Sequence, residues 1–180
     1  MRIEKEQSIA VVIDVQERLF PHIHDNEKLA KNLENLIEGL KILQVPIKVT
    51  EQYKKGLGET IHAIAGLLAE YKYVEKTAFS CCDEPAFLSD IEKKPAKFVI
   101  LAGIESHICV LQTALDLKAN GFQPVVVEDC VASRNPENKR IAINRMLQEG
   151  ITVTSYESLL FELCRVAGTD QFKAISKLVK

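Results

Sequence analysis

Short apolar runs rich in β-branched residues alternate along this chain with longer segments in which apolar residues recur at helical spacing. This alternation is typical of a parallel sheet covered on both faces by helices, because each parallel strand needs a crossover connection back to the same edge. We therefore predict an α/β fold with a doubly wound, Rossmann-like and mainly parallel sheet of six strands. The predicted strands are 8–15, 46–51, 72–75, 97–104, 124–129 and 151–154.

Helical periodicity predicts a helix in nearly every interval between these strands. The helix over 106–120 is the clearest, because its apolar residues keep helical spacing and Asn120-Gly121 supplies a stop signal. The polar segment 52–58 is expected to form a loop over the carboxyl edge of the sheet. The other predicted helices are 26–43, 62–69, 85–94, 137–148, 157–166 and 170–179.

Length and composition favour one globular domain over residues 1–180. The chain has 180 residues, of which 47% are hydrophobic and 27% charged, which suffices for a complete core. Lys and Arg number 23 against 25 Asp and Glu, so there is no basic stripe for nucleic acid.

The start of the chain lacks the features of a secretory signal, and no run approaches the roughly 18 apolar residues of a membrane span. We expect a cytoplasmic protein.

The five cysteines are an odd number and show no C-x-x-C spacing. This pattern disfavours both a disulfide framework and a zinc cage. Each cysteine is then either a small core residue or a reactive thiol. The cysteines are Cys81, Cys82, Cys109, Cys130 and Cys164.

Two charged residues interrupt or directly follow predicted strands. Asp14 breaks the apolar run IAVVIDV, and Lys76 follows YKYVE. Ligands bind outside the carboxyl ends of parallel strands, so both residues are candidates for a site there. Pairing between them would compensate two charges held near low dielectric. The alternatives are that Asp14 caps the following segment and that Lys76 extends to solvent.

Cys109 lies in the segment GIESHICV, where a predicted strand passes into a predicted helix. If Ser106 caps that helix, Cys109 occupies its third position, where free N–H groups and the helix dipole favour a thiolate. The same N–H groups could stabilise an oxyanion. The alternative is that Cys109 is a core residue on the buried face of the helix. His107 is too close in sequence to point in the same direction as Cys109.

Several motifs, taken in order, resemble the isochorismatase-like cysteine hydrolases. They are VIDVQ, VTEQYKKGLGET, EKTAFS, AGIESHICVLQTALDL, DCVASR and YESLLFEL. The phrases TEQY and EKTAFSCC are most similar to the branch of isochorismatase domain-containing or mitochondrial-associated-ribonuclease-like proteins. The resemblance implies a three-layer α/β/α fold, and homo-oligomers of two or more subunits.

The resemblance also implies a catalytic triad of Asp14, Lys76 and Cys109. In this scheme Cys109 attacks a carbonyl, Asp14 transfers the proton, and Lys76 holds the thiolate and the carboxylate in place. A cis peptide between Ile104 and Glu105 is implied as well, with the Glu105 and Cys109 N–H groups forming an oxyanion hole.

Two departures from the family pattern shape the functional prediction. Nicotinamidase-type members carry Asp-x-His metal ligands where this chain has Glu51, Gln52 and Tyr53, so we expect no metal and no other cofactor. Isochorismate cleavage has no step for a thiol nucleophile, so Cys109 argues against the activity that gives the family its name.

The prediction is therefore a cysteine-dependent hydrolase that cleaves a C–N amide bond in a small molecule through a thioester. A catalytically silent binding or scaffold protein is the alternative, and a ribonuclease is opposed by the charge balance. The expected walls of the substrate pocket are Gln16, Phe20, Glu51, Gln52, Tyr53 and Phe79.

Overall fold

The computed structural model describes residues 1–68, 72–93 and 96–180. Within these residues the strands are β1 (Ser8–Ile13), β2 (Ile47–Gln52), β3 (Tyr73–Lys76), β4 (Phe98–Ile104), β5 (Gln123–Ala132) and β6 (Thr152–Thr154). The α-helices are α1 (Asn26–Ile42), α2 (Lys54–Leu57), α3 (His62–Ala65), α4 (Pro85–Glu92), α5 (Leu111–Ala119), α6 (Pro136–Gln148), α7 (Tyr156–Cys164) and α8 (Asp170–Leu178).

Most predicted elements are confirmed, with ends that shift by a few residues. The predicted ends of helices 62–69 and 85–94 fall on positions 69 and 94, which lie outside the described residues. The predicted loop 52–58 contains the short helix α2. The predicted helix 106–120 begins instead as a π-helical turn, Ser106–Val110, and becomes regular only in α5.

The six strands form one sheet in the order β3-β2-β1-β4-β5-β6, and all its strand pairs are parallel. The chain moves outward from β1 through β2 to β3, then returns to start β4 on the other side of β1. The carboxyl ends of β1 and β4 therefore form the topological switch point, where open α/β sheets bind ligands.

Alternating residues of β1 supply two separate apolar cores. Ala10 and Val12 belong to the core that includes α1, α7 and α8, whereas Val11 and Ile13 belong to the core that includes α4, α5 and α6. Side chains alternate between the two faces of a strand, so a central strand covered on both sides must be apolar throughout. This arrangement confirms the three-layer α/β/α architecture.

Gly103 allows β4 to pass close to β1 next to the switch point. Its φ of +119° is rarely adopted by other residues, and a Cβ placed there would clash with the backbone of Ile13. We predict that Gly103→Ala lowers the free energy of unfolding by more than about 2 kcal/mol, because steric clash adds to backbone strain.

The matched control is Gly121→Ala. Gly121 also has a positive φ, of +85°, but has nothing within 4 Å of an added Cβ, so we expect a loss of about 1 kcal/mol. Urea unfolding of both variants measures the difference. Equal losses would show that the contact between β4 and β1 is not the reason for the glycine.

Candidate active site

The parallel register brings three strand ends together at one edge of the sheet. Ile13 of β1 lies opposite Thr50 of β2, and Gln52 of β2 lies opposite Lys76 of β3. Asp14 directly follows β1 and has a φ of +52°, in the left-handed region that aspartate tolerates better than most residues. Residues that are distant in sequence therefore meet at the end of β2.

Asp14 and Lys76 form a buried ion pair, as the sequence predicted. Lys76 Nζ lies 2.6 Å from Asp14 Oδ2, and the two residues are 2% and 0% exposed. Lys76 Nζ also donates to the carbonyl oxygens of Ala78 and Phe79, each at 3.1 Å. An ammonium has three N–H groups, so these three contacts use its full donor capacity.

The other oxygen of the Asp14 carboxylate is held by Thr50. Thr50 Oγ1 donates to Asp14 Oδ1 at 2.7 Å, and Thr50 is fully buried. Sequence reasoning missed this residue. The signal that could have found it is a polar side chain in an apolar strand, two positions before Gln52 and therefore on the same face of β2.

Cys109 lies in the π-helical turn that follows β4, with 5% of its surface exposed. Its Sγ lies 3.5 Å from Gln52 Oε1, a contact in which the thiol donates. The Asp14 carboxylate lies close enough for its negative charge to act on the thiol. The structure thus brings together the three residues predicted to form the triad.

The protonation state of Cys109 differs from the sequence-based expectation. Burial raises the pKa of the Cys109 thiol well above its usual range, and the charge of Asp14 raises it further, whereas Lys76 lowers it. The direction of this shift favours a neutral thiol and opposes the predicted resting thiolate. Burial is its main cause, and the charge of Asp14, which also compensates Lys76, adds to it.

The Lys76 ammonium is stabilised in its charged form. Burial lowers the pKa of Lys76, but the negative charge of Asp14 and its hydrogen bond to the ammonium act in the opposite direction, and the pKa is raised overall. The charged form of Lys76 is therefore favoured.

The predicted cap at Ser106 is also wrong. Ser106 is the first residue of the π-helical turn, and its buried Oγ has no hydrogen-bond partner among the described residues. The residue before the turn, Glu105, makes no side-chain cap. π-helical turns often occur at functional sites, and this one sets the position of Cys109.

The peptide bond between Ile104 and Glu105 is cis, as the resemblance implies. The Glu105 carboxylate accepts hydrogen bonds from Arg134 N at 2.9 Å and from Arg134 Nε at 3.1 and 3.2 Å. His107 contacts Ser133 Oγ through Nδ1 at 2.9 Å and Asn138 through Nε2 at 3.4 Å. Both ring nitrogens of His107 are therefore engaged elsewhere, in agreement with the expectation that it is not a partner of Cys109.

The six predicted pocket residues fall into three groups. Gln52 is half-buried beside Cys109. Tyr53 follows Gln52, which is paired with Lys76 in the sheet, and Phe79 comes three residues after Lys76; the two aromatic residues are 55% and 52% exposed. Phe20 is partly buried against the core that includes α1. These positions leave Gln52, Tyr53 and Phe79 as the candidates for contact with a substrate.

The prediction that Gln16 and Glu51 line the pocket is corrected, because both side chains are fully buried and bonded to neighbouring segments. Gln16 Nε2 donates to the carbonyl oxygens of Gln52 and Gly58 at 3.1 and 2.7 Å, and its Oε1 accepts from Gln52 N at 2.8 Å. Glu51 Oε1 accepts from Thr60 N at 2.7 Å and from Thr60 Oγ1 at 3.1 Å. Neither side chain forms a wall of the pocket; both fix the backbone next to it.

The segment after β2 does not fit the divalent metal found in nicotinamidase-type relatives. Lys54 Nζ lies 3.6 Å from Glu51 Oε2 and 3.0 Å from Glu59 Oε1. A lysine ammonium therefore faces the carboxylates that a metal would need. In the described ranges, no group of three or more His, Cys, Asp and Glu side chains is arranged to hold a metal ion.

The other cysteines are buried in the two cores. Cys81 and Cys82 belong to the core that contains Cys109, and Cys130 and Cys164 to the other. Burial, followed by the charge of Asp14, raises the pKa of Cys81 to about 11. Packing roles therefore agree with their positions, although Cys81 Sγ lies 3.9 Å from Thr50 Oγ1.

A cavity of about 240 Å³ lies over the end of β5 and does not include the triad. It opens between α1 and α6. Its lining residues are His24, Asp25, Lys28, Leu29, Asn32, Asp129, Val131, Ala132, Ser133, Pro136 and Lys139.

The fold and the site define a class of protein: a three-layer α/β/α protein with a buried carboxylate, lysine and cysteine at its switch point. The isochorismatase domain profile matches residues 8–158, and the chain belongs to the isochorismatase family of hydrolases. No helix among residues 1–68, 72–93 and 96–180 has the length and apolar character to cross a membrane.

Relatives match this chain along nearly its whole length. Isochorismatase family protein 1B of Dictyostelium discoideum is 35% identical, covering 99% of this chain and 89% of its own. Isochorismatase domain-containing protein 2A of Mus musculus is 36% identical, and the match covers 99% of this chain and 85% of the mouse protein. A solved structure described as MAR1 ribonuclease from Caenorhabditis elegans has a TM-score of 0.92 at 37% identity, covering 99% and 92%.

The ion pair generates a prediction about stability. We expect Lys76→Met to lower the free energy of unfolding by about 3–5 kcal/mol, because it leaves the Asp14 carboxylate buried without its counterion. The double variant Asp14→Asn, Lys76→Met should lose less than the sum of the two single variants. Denaturant unfolding of all four proteins forms a double-mutant cycle. Additive losses would mean that the two charges do not compensate each other.

Proposed function

We propose that this protein is a cysteine-dependent hydrolase that cleaves a C–N amide bond in a small molecule through a thioester on Cys109. The observation that carries the proposal is the grouping of the Cys109 thiol with a buried carboxylate, Asp14, which Lys76 and Thr50 hold in place and whose charge acts on the thiol. A nucleophile next to a fixed base is the arrangement that covalent catalysis requires.

In the first half-reaction the Asp14 carboxylate takes the proton of the Cys109 thiol as the sulfur attacks the carbonyl carbon. The C=O π bond becomes a C–O⁻ oxyanion, for which the N–H groups of Glu105 and Cys109 are the proposed donors. Collapse of this intermediate breaks the C–N bond. Protonated Asp14 returns the proton to the leaving nitrogen, and an amine or ammonia departs.

In the second half-reaction a water molecule attacks the thioester. Asp14 accepts a proton from the water, the C–S bond breaks, and the sulfur recovers a proton as the acid leaves. Lys76 keeps its charge throughout. Its role is to fix the Asp14 carboxylate and to offset the negative charge, which moves from the carboxylate oxygen of Asp14 to the sulfur of Cys109 as the proton is transferred.

Two other functions receive less support. A binding protein without activity would not need a base beside a buried thiol, since such an arrangement costs desolvation energy. The ribonuclease activity in the name of the Caenorhabditis elegans relative would require positive potential along an RNA backbone, whereas this chain has a net charge of −2. Assembly into homo-oligomers and a cytoplasmic location remain predictions.

The test is a screen of small amides with the wild type, Cys109→Ala and Asp14→Asn. Cys109→Ala removes the nucleophile and should lower kcat/KM by at least about 1000-fold. Asp14→Asn removes the proton carrier and should lower kcat/KM by at least about 100-fold. Cys164→Ala is the matched control, because Cys164 lies at the end of α7 in the other core, and it should retain activity.

Ammonia or amine release and mass spectrometry of a thioester on Cys109 are the two measurements. Amide hydrolysis that persists in Cys109→Ala would overturn the proposal. Cleavage of RNA by the wild type, with no hydrolysis of any amide, would overturn it in favour of the ribonuclease alternative.

A further inference from the structure

The side chain of Gln52 places a fixed hydrogen-bond acceptor directly beside the nucleophile. Its Oε1 lies 3.5 Å from Cys109 Sγ, while its Nε2 points the other way and donates to Thr77 O at 3.4 Å. The orientation of the carboxamide follows from these two partners, one a donor and the other an acceptor. The site therefore presents a carbonyl oxygen, and not an N–H group, to whatever binds at the sulfur.

The backbone of Gln52 is held more firmly than an ordinary strand end. The buried carboxamide of Gln16 accepts from Gln52 N at 2.8 Å and donates to Gln52 O at 3.1 Å, and it also donates to Gly58 O at 2.7 Å. Gln52 is also paired with Lys76 in the sheet register. These bonds fix the backbone that carries the side chain, and the contacts with Cys109 and Thr77 orient the carboxamide, as a recognition group requires.

The chemistry of an acceptor at this position is selective. A carbonyl oxygen next to the attacking sulfur can accept a hydrogen bond from the substrate. The donor would be an N–H group on the nitrogen that is bonded to the scissile carbonyl carbon. Amides and ureas with at least one N–H on the leaving nitrogen supply that group. Esters and N,N-disubstituted amides do not, and they would leave the carboxamide oxygen unpaired when water is displaced.

We propose that Gln52 is the specificity-determining residue of this site and that it accepts a hydrogen bond from the N–H of the leaving nitrogen. The inference rests on the proposed function, since it assumes that the substrate carbonyl lies at Cys109. In the resting protein the thiol proton takes the place of the substrate N–H at Oε1. Gln16 acts through Gln52 and is a positioning residue.

The experiment compares two alkylating agents with the same reacting carbon, iodoacetamide and 2-iodo-N,N-dimethylacetamide. Only the first has N–H groups. Mass spectrometry of the peptide that contains Cys109 gives the rate for each reagent, and free cysteine gives the intrinsic rate ratio. In the wild type we expect the ratio at Cys109 to favour iodoacetamide by about 5- to 10-fold over that of free cysteine, as one hydrogen bond would give.

Gln52→Leu removes the acceptor at nearly constant size and should bring the ratio to that of free cysteine. Gln52→Asn, which shortens the side chain by one methylene, is the second variant should the first not fold, and it should lower the ratio likewise. Gln148→Leu is the control, because Gln148 is an exposed residue at the end of α6, and it should keep the wild-type ratio.

A wild-type ratio equal to that of free cysteine, or a ratio unchanged in both Gln52 variants, would overturn the inference. Labelling requires no turnover, so this failure is distinct from failure of the proposed hydrolase activity. An absence of amide hydrolysis together with a Gln52-dependent labelling ratio would overturn the proposed function and leave the recognition of the N–H group standing.

Discussion

The contact on which the rest of the site depends is the buried ion pair between Lys76 and Asp14. It connects the end of β3 to the residue that follows β1, and Thr50 adds the intervening strand β2 through its bond to Asp14. Two charges removed from water are tolerated only when each is compensated and hydrogen-bonded. Here the lysine uses all three donors, and each carboxylate oxygen has a partner.

Mutual compensation of these charges determines how the thiol behaves. A lysine without a counterion would favour a thiolate, but the Lys76–Asp14 pair is neutral as a whole, and burial raises the pKa of Cys109. In the proposed mechanism the nucleophile forms only as its proton moves to Asp14, with a carbonyl in place.

The architecture and the two charged residues could be predicted from sequence for clear reasons. Strands buried on both faces appear as continuous apolar runs, so a charged residue just after such a run, like Asp14, stands out. Lys76 instead ends the edge strand β3, and it is a candidate because it lies at the carboxyl end of a strand. The direction of its partner follows from topology, since the carboxyl ends of parallel strands share one edge. A pattern in sequence therefore makes Asp14 and Lys76 candidates for an ion pair, and the structure decides against a capping Asp14 and a solvent-exposed Lys76.

Other features depend on details that the sequence pattern does not contain. The π-helical turn at Ser106–Val110 has the same apolar spacing as a regular helix start, so the expected cap at Ser106 was wrong. The burial that raises the pKa of Cys109 is likewise not visible in the sequence. Gln16 and Gln52 are the same residue type near the same edge, yet one is fully buried against backbone and the other faces the sulfur. Only the path of the chain after β1 decides between these two roles.

The most direct measurement of the central claim is the ionisation of Cys109 in the wild type. The rate of its alkylation by iodoacetamide, followed from pH 5 to pH 10 by mass spectrometry, reports the thiolate fraction. If the resting site holds a neutral thiol, the rate should still be rising above about pH 8.5, the usual pKa of cysteine. A rate that reaches its plateau below pH 7 would show a preformed thiolate and would contradict a neutral resting site.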